Sequence, residues 1–172
     1  MSPLTIIMGL PLVMAIILAL VPRENRSIFR YGTLAATFGS LLIAIYVFGQ
    51  FESQLEEAKG EVTYIEAAPL ATQYGYTFTQ RSDWIESLGI SYHVGVDGIG
   101  VVMVLMAALV AFAAACCARE IQTRQKEFYI LLLLMSGGIL GAFMSLDLFL
   151  MYFLHELALV PTFIMIGVWG RG

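Results

Sequence analysis

Residues 148–169 read LFLMYFLHELALVPTFIMIGVW. The run is apolar throughout except at His155 and Glu156. A helix of this length, rising about 1.5 Å per residue, crosses a hydrocarbon core of roughly 30 Å. A carboxylate kept inside such a span costs a few kcal/mol on insertion scales. That cost is borne where the group serves an ion or proton path, or an ion pair with another helix.

Four further stretches carry no charged residue, at about 3–22, 31–50, 98–118 and 128–146. With 148–169 they predict an all-α polytopic membrane protein of five transmembrane helices, one membrane domain over residues 1–172. Composition agrees: 59% of residues are hydrophobic and 13% charged, against about 45–50% and about 25% in soluble domains. A disordered chain, a nucleic-acid binder and a secreted disulfide scaffold are excluded. Cys116 and Cys117 are adjacent, a spacing that rarely suits disulfide geometry, and read as small apolar residues at a helix end.

The basic residues set an expected orientation. No Lys or Arg precedes the first apolar run, whereas Arg23, Arg26 and Arg30 follow it. This is the pattern of a retained helix rather than a cleaved leader. Arg119, Arg124, Lys126 and Arg171 fall on the same side as those three, and only Lys59 and Arg81 on the other. The positive-inside rule then predicts the N-terminus outside and the C-terminus in the cytoplasm, with segment 51–97 on the outer, periplasmic side. In that segment Glu52 to Glu66 is acidic and polar, and Tyr74, Tyr76 and Phe78 alternate with small residues, as in a strand or hairpin arm. Ser82 to Glu86 predicts a short capped helix. Tyr74, Trp84 and Tyr92 suit an interfacial aromatic belt. The segment is too short to build a core of its own.

Glu156 lies about nine residues into the last span, roughly 13 Å deep. Pro161 cannot donate to the carbonyl of Leu157, which weakens or kinks the helix one turn away and frees an acceptor for water. Burial favours the neutral form of a carboxyl and a nearby cation the charged form, so a partner can switch such a group. Glu156 is therefore the candidate proton-translocating residue. His155 points about 100° away around the helix and reads either as a second proton relay or as a hydrogen-bonding filler; no metal site is expected, since no further ligands stand at suitable spacing. Asp97 and Asp147 precede spans and read as structural helix caps, as Pro161 reads as a structural break. Ser136-Gly137-Gly138-Ile139-Leu140-Gly141 predicts close helix packing.

Taken in order, the motifs Tyr92-His93-Val94-Gly95-Val96-Asp97-Gly98-Ile99, Lys126-Glu127-Phe128-Tyr129, Ser145-Leu146-Asp147-Leu148-Phe149-Leu150, His155-Glu156-Leu157-Ala158-Leu159-Val160-Pro161 and Ile166-Gly167-Val168-Trp169-Gly170 resemble the N-terminal portion of subunit M (chain 4) of proton-pumping NADH:quinone oxidoreductase, respiratory complex I. The resemblance spans the chain and is clearest over 92–170. It implies an antiporter-like subunit fold in a bacterial inner membrane. It implies partnership with the other membrane-arm subunits, the lipid bilayer and protons. It implies no cofactor on this chain, with quinone and NADH bound by other subunits. It also implies that Glu156 belongs to a charged axis and pairs with a lysine on a later helix. Two departures stand out. His155 occupies a place where many relatives carry an aromatic residue, and the chain stops just after the fifth span, whereas full-length relatives continue through many more helices. No Lys or Arg falls mid-span, so the expectation is a fragment, a split subunit or a short gene product that does not assemble the proton path alone. Two other readings stay open: a subunit of a multisubunit cation/proton antiporter or membrane-bound hydrogenase, and a non-transporting structural subunit.

Overall fold

A computed structural model describes residues 2–60, 76–85 and 89–170. Within them lie five helices long and apolar enough to cross a membrane. They are α1 (Pro3–Leu20), α2 (Arg26–Gly60), α3 (Gly98–Cys117), α4 (Gln125–Met144) and α5 (Leu148–Trp169). The protein is thus an all-α polytopic membrane protein. To the helices is added one antiparallel hairpin, β1 (Thr77–Ile85) and β2 (Ile90–Val96).

Helix α4 sits centrally, packed against α1, α3, α5 and α2. Helices α1 to α4 form a closed group, and α5 lies outside it against α4 and β2. Two apolar layers fill the bundle. One, with Leu4, Ile7, Val47, Val104, Leu140 and Met144, meets Val94 and Val96 of the hairpin. The other, with Leu18, Phe29, Tyr129 and Leu133, lies toward the opposite end.

The glycine-rich stripe of α4 explains the central position. A Cβ at Gly137 would come within 2.6 Å of Leu12, and one at Gly141 within 2.5 Å of Met8. One at Gly138 would stand 2.7 Å from the Leu154 carbonyl oxygen and 2.8 Å from the Ala158 nitrogen. Lipid tails are as apolar as leucine, so helices in a membrane associate through such close contacts rather than through hydrophobic burial.

The hairpin lies across the end where α1, α3 and α5 begin. Ser2 caps α1, its hydroxyl accepting from the Thr5 N–H at 3.4 Å. Gln80 of β1 accepts from the Ser2 N–H at 3.0 Å and from the Thr5 hydroxyl at 2.9 Å. The single Thr5 proton is then committed, so Tyr92 donates to Thr5 across 2.9 Å. Leu146, in the turn between α4 and α5, donates its N–H to the His93 carbonyl at 2.8 Å.

One expectation for this segment needs correction. Residues 82–85 are not a short helix but the end of β1, with Ser82 opposite Tyr92 and Asp83 opposite Ser91. The local capping pattern lost to a long-range partner, because 90–96 offers a strand whose buried face docks on the bundle. Among the described residues the glycine with positive φ is Gly89. Gly95 serves close approach, since a Cβ there would lie 2.8 Å from Leu146 and 3.0 Å from Thr79. Tyr74, Gly75, Glu86, Arg171 and the stretch 61–66 lie outside the described residues.

Basic residues gather at the other end of the bundle. Lys126 donates to the last carbonyls of α1, at 2.7 Å to Ala19 and 2.8 Å to Val21. Arg23 pairs with Glu127 at 2.9 Å. Arg26, Arg30, Arg119 and Arg124 share this end, whereas Arg81 lies on the hairpin opposite.

Candidate functional site

Helix α5 carries the intramembrane carboxylate, and three features position it. Asp147 is its N-cap, accepting from the Phe149 N–H at 2.9 Å and the Leu150 N–H at 3.1 Å. The same carboxylate accepts from the Ser91 N–H at 3.2 Å and the Ser91 hydroxyl at 3.3 Å, so one side chain ties the hairpin to the start of α5. Leu150, Leu154, Ala158 and Pro161 then form the buried stripe of α5, facing Gly138 and Gly141 of α4.

This stripe decides where Glu156 points. At about 100° per residue, Glu156 lies nearly opposite the stripe, on the face turned away from α4. It is partly exposed. Tyr152, one turn earlier and 61% exposed, lies on the same face of the helix. Phe163, 78% exposed, continues the same face. His155 is exposed and lies on a different side of the helix from Glu156. Among the described residues, the ion pairs are Arg23–Glu127, Arg81–Asp83 and Arg124–Glu127. Glu156 belongs to none of them. Helix geometry sets Glu156 and Tyr152 on one face of α5 and His155 on another.

Pro161 is buried within α5, which stays helical around it. The proline leaves the Leu157 carbonyl without its i+4 donor. The next carbonyl, of Ala158, gains the Thr162 hydroxyl as an extra donor at 2.8 Å. Backbone polarity is therefore unevenly satisfied one turn from Glu156, where a span otherwise offers nothing to water or protons.

Asp97 is the N-cap of α3 and accepts from the Gly100 N–H at 2.6 Å. It is a fastener between β2 and α3. Cys116 and Cys117 are unpaired thiols. Sequence reasoning missed Tyr152; its i,i+4 spacing to Glu156 was the available signal. It also missed Ser91, whose bond to Asp147 joins residues far apart in the chain and leaves no local pattern.

Asp147 yields a prediction. Its carboxyl is held below the usual carboxylate range, chiefly by the Leu150 N–H; partial burial opposes this, and the Ser91 and Phe149 donors add to it. Asp147→Ala should lose about 1–2 kcal/mol, as capping residues do, and free the hairpin. A lowered folded-state value means the contribution is present above the ordinary carboxylate range and lost as pH falls through the lowered value. The stability gap between wild type and Asp147→Asn should therefore close in acid. Thermal unfolding in detergent between neutral and acidic pH measures this; a gap that persists when Asp147 is protonated contradicts it. His93, beside Asp147, has its imidazole pushed down first by burial and then by Arg81, with Asp147 acting the other way.

No model of a protein family matches the chain. It is 32% identical over 168 residues to the chloroplast NAD(P)H-quinone oxidoreductase chain 4 of Chara vulgaris, covering 97% of this chain and 30% of the relative. It is 30% identical over 149 residues to NADH-quinone oxidoreductase subunit M of Pseudomonas aeruginosa, covering 86% of this chain and 27% of the relative. Among solved structures, a chain of respiratory complex I from Thermus thermophilus superposes with a TM-score of 0.68 at 24% identity, over 97% of this chain and 29% of that one. The chain thus spans under a third of the length of the curated relatives it matches.

Proposed function

On the premise that the homologues of this chain are subunit M, or chain 4, of NADH-quinone oxidoreductases, we propose that it is a membrane-arm component taking part in proton translocation coupled to electron transport. The single observation that carries the reading is Glu156 in mid-span on the outward face of α5. A carboxylate there, sharing its face with Tyr152 and without an ion pair among the described residues, needs a cation or a proton from a neighbour. Its partners on this reading are the other membrane-arm subunits, against which the α5 face docks, and a lysine presented there supplies the cation. Movement of that cation toward or away from Glu156 changes its protonation, and the proton passes through water near the Leu157 carbonyl. NADH and quinone are handled elsewhere in the assembly. The relatives' names favour this over the cation/proton antiporter and hydrogenase readings.

The orientation follows the basic end. With Arg23, Arg26, Arg30, Arg119, Arg124 and Lys126 in the cytoplasm, the hairpin lies on the periplasmic side of a bacterial inner membrane. The test of the whole reading is deletion of the coding sequence and assay of inverted membrane vesicles. NADH-driven proton uptake should fall sharply and return on complementation. Undiminished uptake in the deletion strain would overturn the proposal.

A further inference from the structure

Between the basic ends of α2, α3 and α4 lies a cavity of about 130 Å³ lined by Arg26, Ser27, Arg30, Arg119, Gln125 and Tyr129. That space is well above the roughly 10–15 Å³ a single water needs on the same measure, and it admits a phosphate group. The cavity continues, past Arg26 and Gln125, into a larger one that also holds Arg23, Arg124, Lys126 and Glu127. The two regions differ in how their charges are used. In the larger one Glu127 pairs with Arg23 and sits 4.0 Å from Arg124, and Lys126 is spent on the carbonyls of Ala19 and Val21. In the smaller one, Gln125 donates to the Ile121 carbonyl at 2.6 Å and Tyr129 to the Ala118 carbonyl at 3.2 Å. The three guanidinium groups have no ion pair among the described residues, and no carboxylate lines the cavity. The Arg30 Nε is buried and has no hydrogen-bond partner.

A buried guanidinium nitrogen left without an acceptor is costly, and three arginines around one small cavity offer the planar, multidentate donors that suit a phosphate. Helix α2 begins at Arg26, so its positive end adds to the field. The same end of the bundle carries an aromatic of interfacial type. Trp169 donates its indole N–H to the Thr123 carbonyl at 3.0 Å and packs edge-on against Phe128, in the manner of interfacial aromatics. We propose that this cavity is a binding site for a phosphate group, and that the phosphate is the headgroup of an anionic phospholipid seated between α2, α3 and α4.

The test uses the full chain in nanodiscs of phosphatidylcholine with and without phosphatidylglycerol, with retained lipid counted by native mass spectrometry. The comparison is among wild type, Arg30→Gln/Arg119→Gln, Arg26→Gln at the exposed rim, and Arg81→Gln at the opposite end. Each basic residue near an anionic lipid contributes roughly five-fold. The double variant should therefore retain phosphatidylglycerol about 25-fold less well, Arg26→Gln about five-fold less, and Arg81→Gln as well as wild type. Circular dichroism in phosphatidylcholine discs shows whether the double variant is folded; if it is not, the Arg26→Gln result decides. A parallel arm adds inorganic phosphate. Phosphatidylglycerol retention unmoved by millimolar phosphate supports the lipid source, whereas protection by phosphate without any lipid preference supports a soluble phosphoryl compound at the same residues. Retention that is equal in wild type and the Arg26 variant, with no response to phosphate, overturns the site.

Discussion

Glu156→Gln is expected to leave the protein folded and assembled while lowering NADH-driven proton translocation at least about 100-fold, the lower end of what a positioned proton-transfer group contributes. Glutamine matches glutamate in shape, but it cannot take up or release a proton at physiological pH. Removing a charge from the middle of a span also relieves an insertion cost of a few kcal/mol. Membrane levels of the variant should therefore equal or exceed those of wild type, which separates a lost proton site from lost protein. The measurement is proton uptake by inverted vesicles, normalised to subunit content on native gels. Tyr152→Phe, which keeps the ring on the Glu156 face and removes the hydroxyl, should show a smaller loss. Wild-type pumping by Glu156→Gln would end the assignment and leave a structural role for the α5 face. His155→Phe tests the other candidate. His155 is exposed and turned away from Glu156, so the structure favours little effect on pumping.

The second large effect is expected at Gly138. The added methyl of Gly138→Ala meets the backbone of α5, 2.7 Å from the Leu154 carbonyl oxygen and 2.8 Å from the Ala158 nitrogen. No side chain can move aside there, so the helices must separate. Overpacking of this kind costs about 1–3 kcal/mol, and more where backbone must shift. A membrane contact driven by packing has little else to fall back on. Gly9 and Gly49 provide the control, since a Cβ at either meets nothing within 4 Å. Alanine at those positions should be neutral or stabilising, by up to about 1 kcal/mol from helix propensity. Unfolding in a detergent titration, read by tryptophan fluorescence from Trp169 at the end of α5, should show the Gly138 variant alone losing cooperativity. Equal stability of all three variants would show that α4 and α5 do not approach this closely.

Much of the membrane architecture was legible in one dimension because a bilayer imposes a length and a polarity on each crossing segment. Asp97 and Asp147 stand directly before apolar runs, where capping needs only a neighbour three residues away. The hairpin was only half legible. Alternation around Phe78 suggested an arm, but 82–85 carried a helix-start pattern that its partner strand overrode. Ser91 and Lys126 left no local trace of their roles, because each bonds a segment far away in sequence.

For the site, the sequence by itself determined that a carboxylate lies in the middle of an apolar span, with a proline one turn beyond it. That follows from composition and the helical repeat alone. Which way the carboxylate points was decided only by the tertiary structure. Gly138 and Gly141 draw the Leu154–Ala158 side of α5 onto α4, and the rigid geometry of the helix then turns Glu156 outward, away from α4. The same packing gathers Arg26, Arg30 and Arg119, from separate helices, around one cavity, a convergence that no spacing along the chain encodes.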